Sequence, residues 1–441
     1  MARSRLLVDV GPLRKFPQFR LLWSGYVVTT IGNQLTVVAV PYQVFRITHS
    51  SLDVGLVSLA QLVPLLVGSL VGGTIADRVD RRRLLLASQA LLASTSVGLA
   101  LNADSSHPAL WPIFVCSACQ AGFSGVDGPT RAAIVVSAVD RESIVGANAL
   151  WQVLYQLAQI GGPAAAGLIL GRFGLRPVYW VDVASFAVSL TCIARLAPVP
   201  GARSRDSRPP WLGEVAGGLR YLRGHQVLQA VFLVDVNAMV FGMPRALFPA
   251  LGLVRFHGGA GTVGLLYAAP GIGALVGALL TGWVAAVRRQ GRAVLAAVAV
   301  WGVAITAFGL VPMLGAALAL LAVAGAADVV SAVFRGTILQ LDAPDELLGR
   351  LQAVQTAVVT GGPRLGDLEA GVVASLAGTE VSVVSGGLLC LVGVAALARK
   401  LPRFASFERS VAEHAVDPGA RSGPDRRRPG GDAPGADGVE G

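Results

Sequence analysis

Val54-Gly-Leu-Val-Ser-Leu-Ala-Gln-Leu-Val-Pro-Leu-Leu-Val-Gly-Ser-Leu-Val-Gly-Gly-Thr-Ile-Ala76 is followed by Asp77-Arg-Val-Asp-Arg-Arg-Arg83 and then by Leu84-Leu-Leu-Ala-Ser-Gln-Ala-Leu-Leu-Ala-Ser-Thr-Ser-Val-Gly-Leu-Ala-Leu-Asn102. Neither flank contains an ionisable side chain, and the short stretch between them is almost entirely charged. Each flank is about as long as the ~20 apolar residues that a helix needs to cross a bilayer. Membrane β-strands are about half that length and alternate in polarity. These runs are continuous and rich in Gly and Ala, as packed membrane helices are. The stretch therefore reads as two crossings joined by a tight charged turn.

The same alternation continues in both directions. Apolar runs lie near Leu21–Phe45, Val54–Ala76, Leu84–Asn102, Ala109–Thr130, Ile144–Leu170 and Val178–Ala197. A second set lies near Val227–Val254, Thr262–Val287, Ala293–Val311, Leu314–Leu339, Leu348–Leu376 and Val381–Ala398. The expected fold is an all-α integral membrane protein with twelve transmembrane helices in two pseudo-symmetric six-helix halves. Residues 1–20 are expected as a cytoplasmic N-terminus, 21–197 as the first half and 198–226 as a cytoplasmic linker. Residues 227–399 form the second half, and 400–441, rich in Pro, Gly and Asp, a disordered cytoplasmic tail.

Composition supports this and excludes other classes. Charged residues make up 14% and apolar types 54% of 441 positions, where soluble domains carry roughly 25% charged residues. A soluble chain this poor in charge could not cover its own surface. Cys116, Cys119, Cys192 and Cys390 are too few for a disulfide framework. Cys116-x-x-Cys119 lacks the further Cys or His that a zinc site requires, so neither metal nor cofactor is expected. With Met1 inside, the outer loops hold only Arg46, Arg172, Arg176 and Arg255, and most other basic residues face the cytoplasm. This bias places both termini on the inner side of the cytoplasmic (plasma) membrane. The net charge of +10 suits anionic lipid; no folded soluble domain is left to present a basic patch to nucleic acid.

The halves also share markers. Gly161-Gly162-Pro163 recurs as Gly361-Gly362-Pro363, and Arg131-x-x-Ile134 recurs as Arg335-x-x-Ile338. The two spacings differ by four residues, about one helical turn, which keeps helix faces in register. Duplicated halves of this kind build transporters whose substrate site lies between them near the bilayer midplane.

The charged turn carries more than anchors. Its arginines are explained by the inner membrane face, but Asp77 ends a helix, where a negative charge opposes the dipole and calls for a partner. The stretch resembles the signature loop of the major facilitator superfamily: Gly, three residues, Asp-Arg, one residue, Gly, then two basic residues. Gly73, Asp77, Arg78, Arg81 and Arg82 match, and Asp80 replaces the second Gly. The resemblance implies that Asp77 faces the start of the eleventh helix and helps to close the cytoplasmic side. The second-half counterpart, Gly282 to Arg292, has Ala286 in place of the acid and keeps Arg288, Arg289 and Arg292. Gly162-Pro163-Ala-Ala-Ala-Gly167 is similar to an antiporter element of the superfamily, with Ala166 in place of one Gly. Plain helix packing explains most of it, as it does for Gly362 and Pro363. The arginine usual in the fourth helix of drug exporters is replaced by Ser117.

Longer phrases narrow the resemblance. They are Val181-Asp182-Val-Ala-Ser185-Phe186, Asp235-Val-Asn237-Ala-Met239-Val-Phe-Gly-Met243-Pro244, Phe334-Arg335-Gly-Thr337-Ile-Leu-Gln340 and Gly361-Gly-Pro-Arg364-Leu-Gly-Asp367. They resemble the enterobactin-exporter-type branch, which also takes in macrolide-efflux-type pumps.

Ionisable groups inside spans are costly, and they pair with one another or line a pathway. Asp127 stands three residues before the end of its run and, with Arg131, reads as a structural ion pair. Arg335, Arg364 and Asp367 are further candidates for such pairs. Asp235 and Arg245 share the seventh run, about 15 Å apart along one helix, too far to pair directly. The superfamily resemblance places the first, fourth, seventh and tenth helices around the cavity. That favours Asn33, Gln34, Asp235, Asn237, Arg245 and Asp328 as substrate or proton-pathway residues. A structural pair with an arginine on another helix is the competing reading of Asp235.

The resemblance implies a monomeric secondary transporter exporting an amphipathic, siderophore-like small molecule by alternating access, in exchange for protons. A drug or macrolide is the second substrate class, and a transport-inactive sensor or scaffold is the reading from another class. The residues offer no enzyme. No Ser/His/Asp set or Gly-Lys-Ser phosphate loop occurs, and His49, His107, His225, His257 and His414 fall in expected loops or the tail.

Overall fold

The computed structural model describes residues 9–76, 78–200 and 211–408. Each apolar run contains one long helix, and the seventh and eighth runs continue beyond theirs as short helical turns. The long helices are α1 Pro17–Thr48, α2 Ser51–Ala76, α3 Arg81–Asp104, α4 Leu110–Ala138, α5 Ile144–Phe173 and α6 Leu175–Ala194. These are followed by α7 Gln226–Phe241, α8 Gly259–Leu279, α9 Gln290–Leu310, α10 Leu314–Asp342, α11 Asp345–Ala377 and α12 Thr379–Lys400. No strand occurs among the described residues. Nine stretches there are long and apolar enough for a membrane crossing: α2, α3, α5, α6, Gln226–Arg255, α8, α9, α10 and α12. Helices α1, α4 and α11 are long, at 32, 29 and 33 residues, but fall short of that apolarity.

The end of the bundle bearing Pro17 and Lys400 is termed the near end, and the opposite end, with the turn between α1 and α2, the far end. At the far end two seams join α1–α6 to α7–α12 through residues lacking a side chain. A Cβ on Gly167 of α5 would lie 2.9 Å from the Cα of Gly264 on α8. A Cβ on Gly371 of α11 would lie 2.7 Å from the Ser51 carbonyl at the start of α2. Small residues let backbones approach this closely in membranes. Toward the near end of α2, a Cβ on Gly73 would meet open space.

The charged turn ties helix ends together. Asp80 caps α3 by accepting the Arg83 amide at 2.9 Å, a role the sequence reading did not give it. Arg81 donates to the last carbonyl of α2 at 3.3 Å and to Ala133 of α4 at 3.4 Å. Arg82 donates to the Ile193 carbonyl at 3.3 Å and to that of Ala194. Cations at helix C-termini are favourable both to the dipole and to orphaned carbonyls. Asp77 lies outside the described residues; Arg78 is exposed. Elsewhere at the near end, Lys15 meets Asp140 at 2.6 Å. Its hydrogen bond holds the Asp140 carboxyl down at about 2, so this exposed clasp is lost only as pH falls toward that value.

Three boundaries need correction. The fourth run does not stop at Thr130: α4 continues to Ala138, which leaves Asp127 about three turns from its end. The expected linker 198–226 contains a helix, Trp211–Leu222, whose Gly218 packs against the Arg350 backbone of α11. The expected tail from residue 400 begins later. Pro402–Ala405 is helical, Phe404 is fully buried against α9, and Arg289 pairs with Glu408 at 2.8 Å. An aromatic ring seated in this core outweighs the polar composition around it. Phe404→Ala is expected to cost about 3–5 kcal/mol, measured as a lower thermal midpoint of the detergent-purified protein.

Candidate functional site

The seventh run is not one helix. Pro244 has no amide to continue the ladder, and α7 ends at Phe241. The chain resumes as a 3₁₀ turn Arg245–Leu247, a single α turn Phe248–Ala250 and a π turn Leu251–Arg255. Asp235 and Arg245 therefore do not share a helix, contrary to the sequence expectation. A break inside the bundle frees backbone polar groups, which must find partners. The Gly242 carbonyl accepts from Trp301 Nε1 of α9 at 2.9 Å. The Ala246 amide donates to Asp367 Oδ1 of α11 at 3.0 Å, and the Arg245 carbonyl accepts from the Tyr267 hydroxyl of α8 at 3.0 Å. Three neighbouring helices thus hold one break. Trp301→Phe keeps an aromatic side chain but removes the indole N–H and leaves the Gly242 carbonyl without its donor, an expected loss of at least about 1–3 kcal/mol read in the same melting assay.

Irregular backbone at membrane depth is found where it lines a cavity, and that is so here. A cavity of about 190 Å³ is bounded by Arg245, Phe248, Tyr267, Trp301 and Asp328. A second, of about 390 Å³, shares Arg245, Tyr267 and Gln159 with it and adds Asn33, Gln34, Arg364 and Asp367. A third, of about 550 Å³, shares Asn33, Gln34 and Tyr155 with the second and reaches Asp127 and Arg131. The cavities share lining residues in sequence, and the middle one draws side chains from both groups of helices.

The candidate residues divide between these cavities and the packing around them. Asn33, Gln34, Arg245 and Asp328 line cavities. Asp235 is 1% exposed and meets Arg335 at 2.9 Å, with Gln355 donating to its other oxygen at 3.0 Å. Arg335 also donates to Ser331 at 2.8 Å and lies 3.8 Å from Asp328. Asn237 turns away from the cavities: it donates to the Cys390 carbonyl at 2.9 Å and occupies the space beside Gly393 of α12. Its expected place in the pathway is corrected, because neighbouring positions on a helix face different directions.

Asp127 accepts two hydrogen bonds from Arg131, at 3.0 and 3.1 Å, and others from Ser88 and Gln89 at 3.1 and 2.7 Å. The Arg131 guanidinium also lies 4.8 Å from the centre of the Tyr26 ring. Arg364 and Asp367 are not an ion pair within 4 Å among the described residues. Asp367 accepts from Ser58 at 2.8 Å and from the Ala246 amide, while Arg364 donates to the Thr360 carbonyl at 2.6 Å. Gly162 packs against Gln34, Gly167 against Gly264, and Gly362 against Met239; Pro163 is buried and Pro363 lines the middle cavity.

Sequence reasoning did not name Trp301, Tyr267 or Asp182 as site residues, although Asp182 stands in one of the phrases that carry the resemblance. Asp182 is fully buried on α6 and accepts from Thr36 and Ser96 at 2.9 and 2.8 Å. A single acid in an apolar run was its available signal.

Known proteins share this architecture. Residues 9–427 match the family described as transmembrane secretion effector. The enterobactin exporter EntS of Citrobacter koseri is 29% identical over 395 residues, covering 89% of this chain and 94% of that protein. A crystal structure of a bacterial homologue of the human lysosomal transporter Spinster superposes with a TM-score of 0.70 at 15% identity, covering 92% of this chain and all of that one. A bacterial homologue of the iron transporter ferroportin gives 0.66 at 13% identity, covering 88% and 99%. The family consists of membrane transporters rather than enzymes. The chain belongs to the transmembrane secretion effector family of the major facilitator superfamily.

Proposed function

We propose that this protein exports an amphipathic, siderophore-like small molecule across the cytoplasmic membrane by alternating access, in exchange for protons. The observation that carries the reading is the middle cavity, lined by polar side chains of both groups of helices, with glycine seams joining those groups at the far end. The likeness to enterobactin exporters along most of the chain supports the substrate class. In this reading α1, α4 and α11 cross the bilayer as well, giving twelve crossings in two halves, 21–197 and 227–399. Their lower apolarity reflects the cavity that they line. The near end, with its arginines and both termini, is cytoplasmic, and the transporter works as a monomer. Arg335 lies between Asp235 and Asp328; two carboxylates serving one cation form a suitable place for an exchanged proton.

The test compares small molecules retained by cells with and without the protein under iron limitation. Accumulation of an iron chelator supports the proposal. Altered drug sensitivity alone supports a drug or macrolide exporter, and the absence of any transport phenotype supports a scaffold. Asp77, read as a gating acid from the resemblance alone, gives a further expectation. Asp77→Asn should lower export about tenfold at unchanged membrane abundance, since a shift of ~1.4 kcal/mol between states suffices. Normal export by that variant removes Asp77 from the mechanism.

A further inference from the structure

We infer that the transported molecule is an organic anion whose acidic group is held between Arg245 and Arg364. The inference rests on the exporter reading and specifies its substrate class.

The middle cavity has three charged side chains in its lining: Arg245, Arg364 and Asp367. Asp367 has both oxygens engaged by neutral donors, Ser58 and the Ala246 amide. Neither arginine lies within 4 Å of a carboxylate among the described residues. Arg364 spends one nitrogen on the Thr360 carbonyl, and its Nε is buried without a partner. The Arg245 guanidinium has no hydrogen-bond acceptor there. Its main chain is fixed instead, by Tyr267 on its own carbonyl and Asp367 on the next amide. The helix break thus presents a guanidinium to the cavity while its backbone is held in place.

A buried guanidinium donor without an acceptor, here Arg364 Nε, is costly. A carboxylate, phenolate or comparable oxyanion supplies what the site lacks, and the planar fork of arginine suits it. The adjoining cavity adds an apolar wall from Phe248, Trp301, Ile305 and Leu321, against which the body of an amphipathic anion can pack. A lipophilic cation would instead meet two like charges. Asp367 in the middle cavity and Asp328, on the wall of the adjoining cavity with Arg245, are the carboxylates that compete with a ligand for that guanidinium.

The experiment uses full-length protein in lipid nanodiscs, titrated calorimetrically with three probes sharing one aromatic body: naphthoate, naphthamide and naphthylmethylamine. Saturable binding is expected for the carboxylate at millimolar concentration or below, with the amine not binding. Arg245→Gln and Arg364→Gln should each weaken the carboxylate about tenfold, and Asp328→Asn should strengthen it. Amine binding equal to or tighter than carboxylate binding overturns the inference. So does carboxylate binding that is absent, or unchanged in both arginine variants. The ranking on the wild-type protein decides the charge class even where a variant fails to fold. Because binding and not export is measured, a charge-blind result alongside chelator export from cells overturns the inference and leaves the exporter reading standing.

Discussion

Replacing Asp235 by Ala is expected to remove most of the folded protein, at a cost of about 3–5 kcal/mol. The cause is less the loss of an attraction than the charge left behind. Arg335 is 5% exposed, and its ion partner at 2.9 Å is Asp235; the other carboxylate near it, Asp328, stands at 3.8 Å. Asp235→Asn keeps the shape and the bond from Gln355 and should lose less. The double variant Asp235→Leu/Arg335→Met removes both charges at similar volume, and it should recover much of the abundance, since paired replacement of buried ions is often neutral. That folded double variant then separates the two roles of the acid. Retained pumping against a gradient makes the pair structural, whereas equilibration without pumping makes it part of coupling. Wild-type abundance and melting in Asp235→Ala would refute the cost assigned here.

Gly264→Leu should have the second largest effect. A Cβ at that position would stand 2.5 Å from the Cα of Gly167, a backbone contact that no rotamer can relieve. The seam between α5 and α8 must part, biasing the protein toward a state open at the far end. Reversing a 99:1 preference requires about 5.5 kcal/mol of difference between states, and a wedge between two packed backbones acts only on the closed one. Export should fall at least about tenfold. Position 58 faces the middle cavity behind the seam, so Ser58→Cys in a chain otherwise free of cysteine provides a direct readout. A membrane-impermeant thiol reagent added outside should label it in the Gly264→Leu background and not in its parent. Equal labelling in both would show that this seam is not the barrier.

The helices were legible from the sequence because twenty uncharged residues in a row leave few other structures. The errors followed from side-chain partners that composition does not show, most of them on other helices. The fourth run was ended before Arg131, yet Asp127, one turn earlier, neutralises that arginine inside α4. Gly242 and Pro244 advertised the break in the seventh run. Its partners, Trp301, Tyr267 and Asp367, come from α9, α8 and α11, and no local pattern assembles them. Asn237 was placed by helix number, but rotation about the helix axis sends it to α12. Asp367 was a candidate for an ion pair, whereas its hydrogen-bond partners are a serine 309 residues away and a backbone amide. Phe404 was lost in the composition of its surroundings.

The polarity of α1, α4 and α11 has a consequence for biogenesis. A segment enters the bilayer from the translocon by its own apolarity, and each central charge costs about 2.5–3.5 kcal/mol on that scale. α1 emerges from the ribosome first and is less apolar than α2, which follows after a turn of two residues. It is therefore poorly suited to partition alone and is best retained as a hairpin with its successor. α11 stands in the same relation to α12. Nascent chains truncated between α1 and α2 should be extracted from membranes by alkali, while chains extended through α2 should remain.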